Sequence, residues 1–193
     1  KREVWRAMPP ELKRLWWSDV LVRWGDWLAR DFIVLYCLKT LGISTALFGT
    51  LVALQMTTAL ATYFPVAAIV DRGHQRPFIG LTFVLFALTP LCFALARGPA
   101  GLVLAFAFYG LREIGEPARK SMITSSFPEE YRARGVGLYW SWRAFAIFPA
   151  PLAGALLWMA FGPRVLLVTA CGVGLLGAAL FALFGSPRRV ASR

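Results

Sequence analysis

Apolar residues run along this chain in six long blocks, separated by short stretches that carry charges, glycine or proline. A helix needs about 20 mainly apolar residues to cross a hydrocarbon layer about 30 Å thick. Residues 77–96 and 165–185 meet this with no charge, and residues 43–70 are uncharged over 28 positions. Three further blocks, roughly 18–38, 99–121 and 135–161, are apolar but carry charges. Between the blocks stand Lys39 and Gly42, Asp71-Arg72-Gly73, Arg97-Gly98-Pro99, Phe127-Pro128-Glu129-Glu130 and Gly162-Pro163-Arg164. Such breakers and charges belong at membrane borders. The pattern predicts an all-α polytopic membrane protein with six transmembrane helices within 18–185. Residues 1–17 then form a cytoplasmic linker and 186–193 a cytoplasmic tail. Within the linker, residues 11–17 mix apolar and basic side chains at helical spacing. They read either as an interfacial helix with Trp16 and Trp17 at headgroup level or as a plain linker.

Composition supports a membrane protein. The 193 residues are 58% hydrophobic and 16% charged, against about 45–50% and about 25% in soluble domains. Three cysteines exclude a disulfide scaffold, and one histidine excludes a metal site built mainly on imidazole. A net charge of +11 would suggest nucleic acid in a soluble protein, but here the positions of the charges decide. With six spans, one side carries Lys1, Arg2, Arg6, Lys13, Arg14, Arg72, Arg76, Arg119, Lys120, Arg132, Arg134, Arg188, Arg189 and Arg193. The other carries Lys39, Arg97 and Arg164. Basic residues stay preferentially in the cytoplasm, so both termini are expected there, in a cell membrane, and no nucleic-acid partner is expected. The chain starts at Lys1 rather than Met, which reads as a piece of a longer protein.

Several charges fall where lipid should be. At 100° per residue, Asp19, Arg23, Asp26 and Arg30 lie within an arc of about 60° on the first span. Asp26, Arg30 and Asp31 together cost roughly 8–10 kcal/mol on the insertion scale, so the stripe must face protein or a water-filled cavity. Arg112, Glu116 and Arg119 repeat the arc on the fourth span, with Glu113 to one side, and the fifth span carries Arg143. Counted along the helices, Asp26, Arg112, Glu113 and Arg143 share one depth of about 12–14 Å from the cytoplasmic ends. The expectation is that Arg112 and Arg143 balance Asp26 and Glu113 in one partly wet cavity. The substrate or ion pathway candidates are therefore Asp26, Arg30, Asp31, Arg112, Glu113, Glu116 and Arg143. A purely structural ion-pair network is the competing reading.

In each triplet of spans the first member is charged, the second rich in small residues and proline, and the third uncharged. This polarity pattern suggests a three-plus-three repeat, as in transporters built from inverted repeats. The segment Ala67, Asp71, Arg72, Gly73, His74, Gln75, Arg76 and Pro77 resembles the loop after the second span of major facilitator superfamily transporters. The segment Arg112-Glu113-Ile114-Gly115-Glu116-Pro117-Ala118-Arg119-Lys120, followed by Arg132-Ala133-Arg134-Gly135, is similar to the fourth or tenth helix of that family and its following loop. The resemblance implies one half of a twelve-helix facilitator, here the C-terminal six helices. Its partner would be the N-terminal six-helix half of the same protein. It implies a secondary active transporter moving a small-molecule substrate by alternating access, with a proton as candidate coupling ion. It also implies that charged spans 1 and 4 line the cavity while spans 3 and 6 face lipid. Asp71, Arg72 and Arg76 would form a conformational loop, with Asp71 capping a helix of the opposite half.

The remaining residues have plainer readings. His74 reads as a solvated loop residue. Cys37, Cys92 and Cys171 read as small apolar side chains, and Trp140 and Trp142 as packing or interfacial residues. No phosphate loop, metal motif or nucleophile elbow is present in the sequence, so neither a cofactor nor enzymatic activity is expected. The alternative function is a non-transporting membrane sensor or scaffold on the same fold.

Overall fold

The computed structural model describes residues 8–70, 75–127 and 129–184, and among these all regular structure is helical. Pro9 and Pro10 start α1, Pro10–Leu35, because proline pre-sets the backbone angle of a first helical turn and has no amide proton to leave unpaired. Helix α1 then runs unbroken for 26 residues, so the expected interfacial segment and first span are one rod about 39 Å long. Its first turns are not laid on a surface. Met8, Leu12, Leu15 and Trp16 are buried in a core cluster with Phe83, Phe86, Ile123, Tyr139 and Phe181. The Trp16 indole donates to the Tyr139 carbonyl at 3.4 Å, while Trp17 remains exposed. Helical spacing makes one apolar stripe; it does not say whether lipid or protein receives it.

A π-helical turn, Tyr36–Thr40, closes α1. Then follow α2, Thr45–Val70, α3, Gln75–Leu95, and α4, Gly98–Leu111. The fourth apolar block does not continue as a straight helix. It tightens into a 3₁₀ turn, Arg112–Gly115, before α5, Glu116–Ser125. Pro117 explains the break, since it lacks an amide proton and crowds the carbonyl four residues back. The fifth block breaks likewise at Phe148 and Pro149, giving α6, Arg132–Ile147, and α7, Ala150–Phe161. Gly162, at φ +82°, turns the chain into α8, Pro163–Phe184, through backbone angles that only glycine adopts freely.

Among the described residues, four stretches are long and apolar enough to cross a membrane: Thr45–Val66, Gln75–Leu95, Glu129–Phe161 and Pro163–Leu183. Helix α4 stops after 14 residues, and α1 carries the charges named above. Helix α8 packs along α1 and α3, α2 along α4, and α7 against α1. Burial differs among these four windows. The apolar windows of α3 and α8 are each 44% buried, against 6% for α2 and 17% for the Glu129–Phe161 stretch. Spans 3 and 6, expected to face lipid, pack one side against neighbouring helices and leave more than half of each window unburied, with Leu81, Val84, Leu176 and Leu183 exposed. Small residues make this contact. A β-carbon on Gly174 would stand 2.8 Å from the Ala87 Cα, and one on Gly177 2.6 Å from the Val22 nitrogen. Such close approach is how membrane helices gain packing energy.

Candidate functional site

Three pieces of chain bring the charges together. Helix α1 offers Asp19, Arg23 and Asp26 on one stripe. The corner between α4 and α5 offers Arg112, Glu113, Glu116 and Arg119, and α6 offers Tyr139 and Arg143. The corner is held against α3: the Gly115 amide donates to Thr82 Oγ1 at 2.5 Å. Any side chain on Gly115 would collide with the Phe78 carbonyl oxygen. Glycine at 115 therefore lets the corner sit on α3 and turns Arg112 and Glu116 toward α1.

Arg119 and Asp19 anchor one end of the network. Arg119 Nη1 donates to Asp19 Oδ2 at 2.8 Å. Its Nε and Nη2 donate to Glu116 Oε1 and Oε2 at 3.0 and 2.6 Å, a two-pronged pairing that fits the planar guanidinium. Asp19 Oδ2 also accepts from the Tyr139 hydroxyl at 3.1 Å and from Arg143 Nη1 at 3.1 Å. Arg23 Nη2 donates to Glu116 Oε1. Asp19 is 0% and Arg119 1% exposed.

The other end is centred on Asp26 and is less complete. Arg112 Nη1 donates to Asp26 Oδ1 at 2.5 Å, and its Nε lies 3.5 Å from Glu113 Oε1. Arg23 Nη1 is 4.0 Å from Asp26 Oδ2. Buried Arg23 Nε, Asp26 Oδ2 and Arg112 Nε find no hydrogen-bond partner among the described residues. Aromatic rings cover the cations. Arg23 and Arg112 lie over Phe86 at 3.9 and 4.2 Å, Arg112 also over Tyr109 at 4.0 Å, and Arg143 over Trp140 at 4.2 Å. Cation–π contact favours a guanidinium in a dry setting, so these rings offset part of the lost hydration.

The expected residues divide between three places. Asp26, Arg112 and Glu116 are buried in the network, and Glu113 stands at its rim, where its side chain is 36% exposed. Arg143 joins the network through Asp19. It pairs with neither Asp26 nor Glu113, so the single two-against-two layer is corrected: equal depth along separate helices does not fix which side chains meet. Arg30 and Asp31 take no part in the network; both are exposed and line a cavity of about 340 Å³ with Gln55 and Tyr109. Arg76 is half-buried in the first turn of α3. Asp71, Arg72 and His74 lie outside the described residues.

Four network residues were not among the expected site residues: Asp19, Arg23, Arg119 and Tyr139. The first three sit on the charged arcs, which was the available signal. Arg119, counted among the cytoplasmic basic residues, is buried because Asp19 and Glu116 flank it. Tyr139 carried no signal. A second cavity, of about 540 Å³, is lined by Trp27, Arg143, Ile147, Phe148 and Pro151. Among the described residues, no group of three His, Cys, Asp or Glu side chains is arranged to hold a metal ion.

The model of the family described as Major Facilitator Superfamily matches residues 15–193. The chain belongs to that superfamily. In general terms it is therefore a multi-pass membrane protein of the class that moves small solutes across membranes. No curated protein matches the chain.

Proposed function

We propose that this chain forms six transmembrane helices in a three-plus-three arrangement and works as one half of a secondary active transporter. It would move a small solute by alternating access, with the charged network at its working centre. The observation that carries this reading is the buried network joining α1, the α4–α5 corner and α6 within an otherwise apolar helical bundle. Ionisable groups inside a membrane are expensive, and they characteristically mark pathways and relays. The two ends of the network support different duties. The Asp19 and Arg119 end is the more completely bonded, as a joint between helices would be, with only Arg23 Nε, 3.7 Å from Asp19 Oδ1, left without a hydrogen bond. The Asp26 and Arg112 end leaves Asp26 Oδ2 and Arg112 Nε unpaired and borders the partly exposed Glu113, as a group that changes partners would. If a proton is coupled to transport, Asp26 or Glu113 takes it, because a carboxylate can neutralise and arginine cannot.

The proposed partner is a second six-helix half. The exposed faces of α2 (Met56, Leu60, Phe64), of α6 and α7 (Phe145, Met159) and of the break between them (Phe148) are apolar surfaces to which it would dock. Both termini are proposed to be cytoplasmic, on the strength of the basic-residue bias. The test is solute flux by the purified protein in vesicles, with and without a pH gradient, for wild type, Asp26→Asn and Arg112→Gln. Each variant is expected to lose flux or its response to the gradient while still inserting and folding. Wild-type flux and gradient response in both would reduce the network to scaffolding and favour a non-transporting sensor.

A further inference from the structure

The cavity beside the network carries two charges that the network does not use. Arg30 and Asp31 are consecutive on α1, close to the middle of the predicted first span, and both are exposed. Among the described residues neither makes an ion pair. Arg30 rests over the Trp27 ring at 5.2 Å, a contact that leaves its N–H groups free to donate. Both line the cavity of about 340 Å³ between α1, α2 and α4. Gln55 and Tyr109 add an amide and a phenol, while Ile33, Val52 and Met56 supply apolar wall. The volume falls at the small end of ligand pockets, roughly 300–1,000 Å³.

We propose that this cavity is a binding site for a small zwitterion with an apolar body, of the chemical class of an α-amino acid. The carboxylate of the solute would meet the Arg30 guanidinium, its ammonium the Asp31 carboxylate, and its side chain the α2 wall. The inference rests on the transport reading and names the substrate class for it. Adjacent opposite charges at membrane depth are costly when left facing lipid, and a ligand carrying both complementary charges satisfies both at once. A solute with a single charge leaves one protein charge unmatched, and that mismatch supplies the selectivity. Tyr109 links the site to the network, since its ring lines the cavity and also stacks on Arg112, which holds Asp26. A ligand that moves Tyr109 therefore acts on the least complete pairs of the network.

The experiment compares three molecules with one isobutyl side chain: leucine, 4-methylpentanoate, which lacks the amine, and 3-methylbutylamine, which lacks the carboxylate. Binding to the purified protein in detergent at neutral pH is read by equilibrium titration and by the shift in thermal unfolding. Phenylalanine serves as a second zwitterion. At least one zwitterion is expected to bind roughly ten- to hundredfold more tightly than either single-charge analogue, the range for losing one charged hydrogen-bonded contact. Arg30→Gln should lower leucine affinity to that of the amine, and Asp31→Asn to that of the carboxylate. Both side chains are exposed, so both variants should fold. If either does not, Arg30→Lys and Asp31→Glu, which keep the charges, must retain the preference for the zwitterion. Equal affinity for all three molecules, or no binding of either zwitterion, overturns the proposal. Zwitterion binding without flux leaves the site standing and overturns the transport reading. Flux of a singly charged solute that is unchanged in Arg30→Gln and Asp31→Asn does the reverse.

Discussion

Asp19 is the residue on which most of the network converges, and replacing it tests whether the network holds the helices together. In Asp19→Asn the shape is kept and the charge removed. The side chain accepts from Arg119 Nη1 at 2.8 Å, from the Tyr139 hydroxyl at 3.1 Å and from Arg143 Nη1 at 3.1 Å, and it is fully buried. Each such bond to a charged group is worth about 1.5–3 kcal/mol, but the three are not additive. Arg119 keeps its two bonds to Glu116, and asparagine can still accept one bond. Arg143 fares worst, because its ion pair is with Asp19. Breaking a buried pair on one side costs about 3–5 kcal/mol, since the surviving charge stays desolvated, and the lower end, about 3 kcal/mol, is expected here. Glu113→Gln is the internal control. Its side chain is 36% exposed and lies 3.5 Å from Arg112, so solvent screens it and its loss should be under about 1 kcal/mol. The measurement is unfolding of the micelle-bound protein by a denaturing detergent, followed by the fluorescence of its eight tryptophans. A double cycle with Arg143→Gln should recover part of the loss, because the second change removes the stranded cation. Equal small effects for Asp19→Asn and Glu113→Gln, with no coupling to Arg143, would refute the reasoning.

Three further outcomes follow from packing. Gly115→Ala should lower stability by about 1–3 kcal/mol, since the added methyl meets the Phe78 carbonyl oxygen; Gly137→Ala, where nothing lies within 4 Å, should not, and the same unfolding titration compares them. Gly174→Leu should separate α8 from α3 and α1, visible as loss of folded protein in size-exclusion chromatography, because even its β-carbon would stand 2.8 Å from the Ala87 Cα. Trp24→Phe removes an indole bond of 2.7 Å to the Ala146 carbonyl, just before the break at Pro149, and should cost about 1 kcal/mol by thermal unfolding.

The helical class, the six apolar blocks and the positions of most breaks were legible because they depend on local composition. Pro149 could be expected to open its helix, and Gly162 with Pro163 marks a turn by its own backbone preference, whereas the break before Pro117 was not expected and Pro65 and Pro90 lie inside unbroken helices. The charged arcs on α1 and on the α4–α5 segment were legible for a related reason, since helical geometry alone places Asp19, Arg23 and Asp26 on one face. Partner choice was not legible. Arg143 and Asp26 share an expected depth, but the tilt and rotation of α6 give Arg143 to Asp19 instead. Arg119 looked like a border charge until Asp19 and Glu116 enclosed it, and Tyr139 became part of the site only because α6 lies beside α1. The uniform helices show the same limit most clearly. Helices α3 and α8 are almost wholly apolar, and on α3 only the buried Thr82 and Thr89 mark a face turned toward protein. The fit of Gly174 to Ala87 and of Gly177 to Val22 decides which side of α8 packs on α3 and α1. Hydrophobicity selects the membrane by itself, because transfer energy is summed residue by residue. Which apolar surface meets another helix depends on shape matched across distant parts of the chain, and that is a property of the tertiary structure.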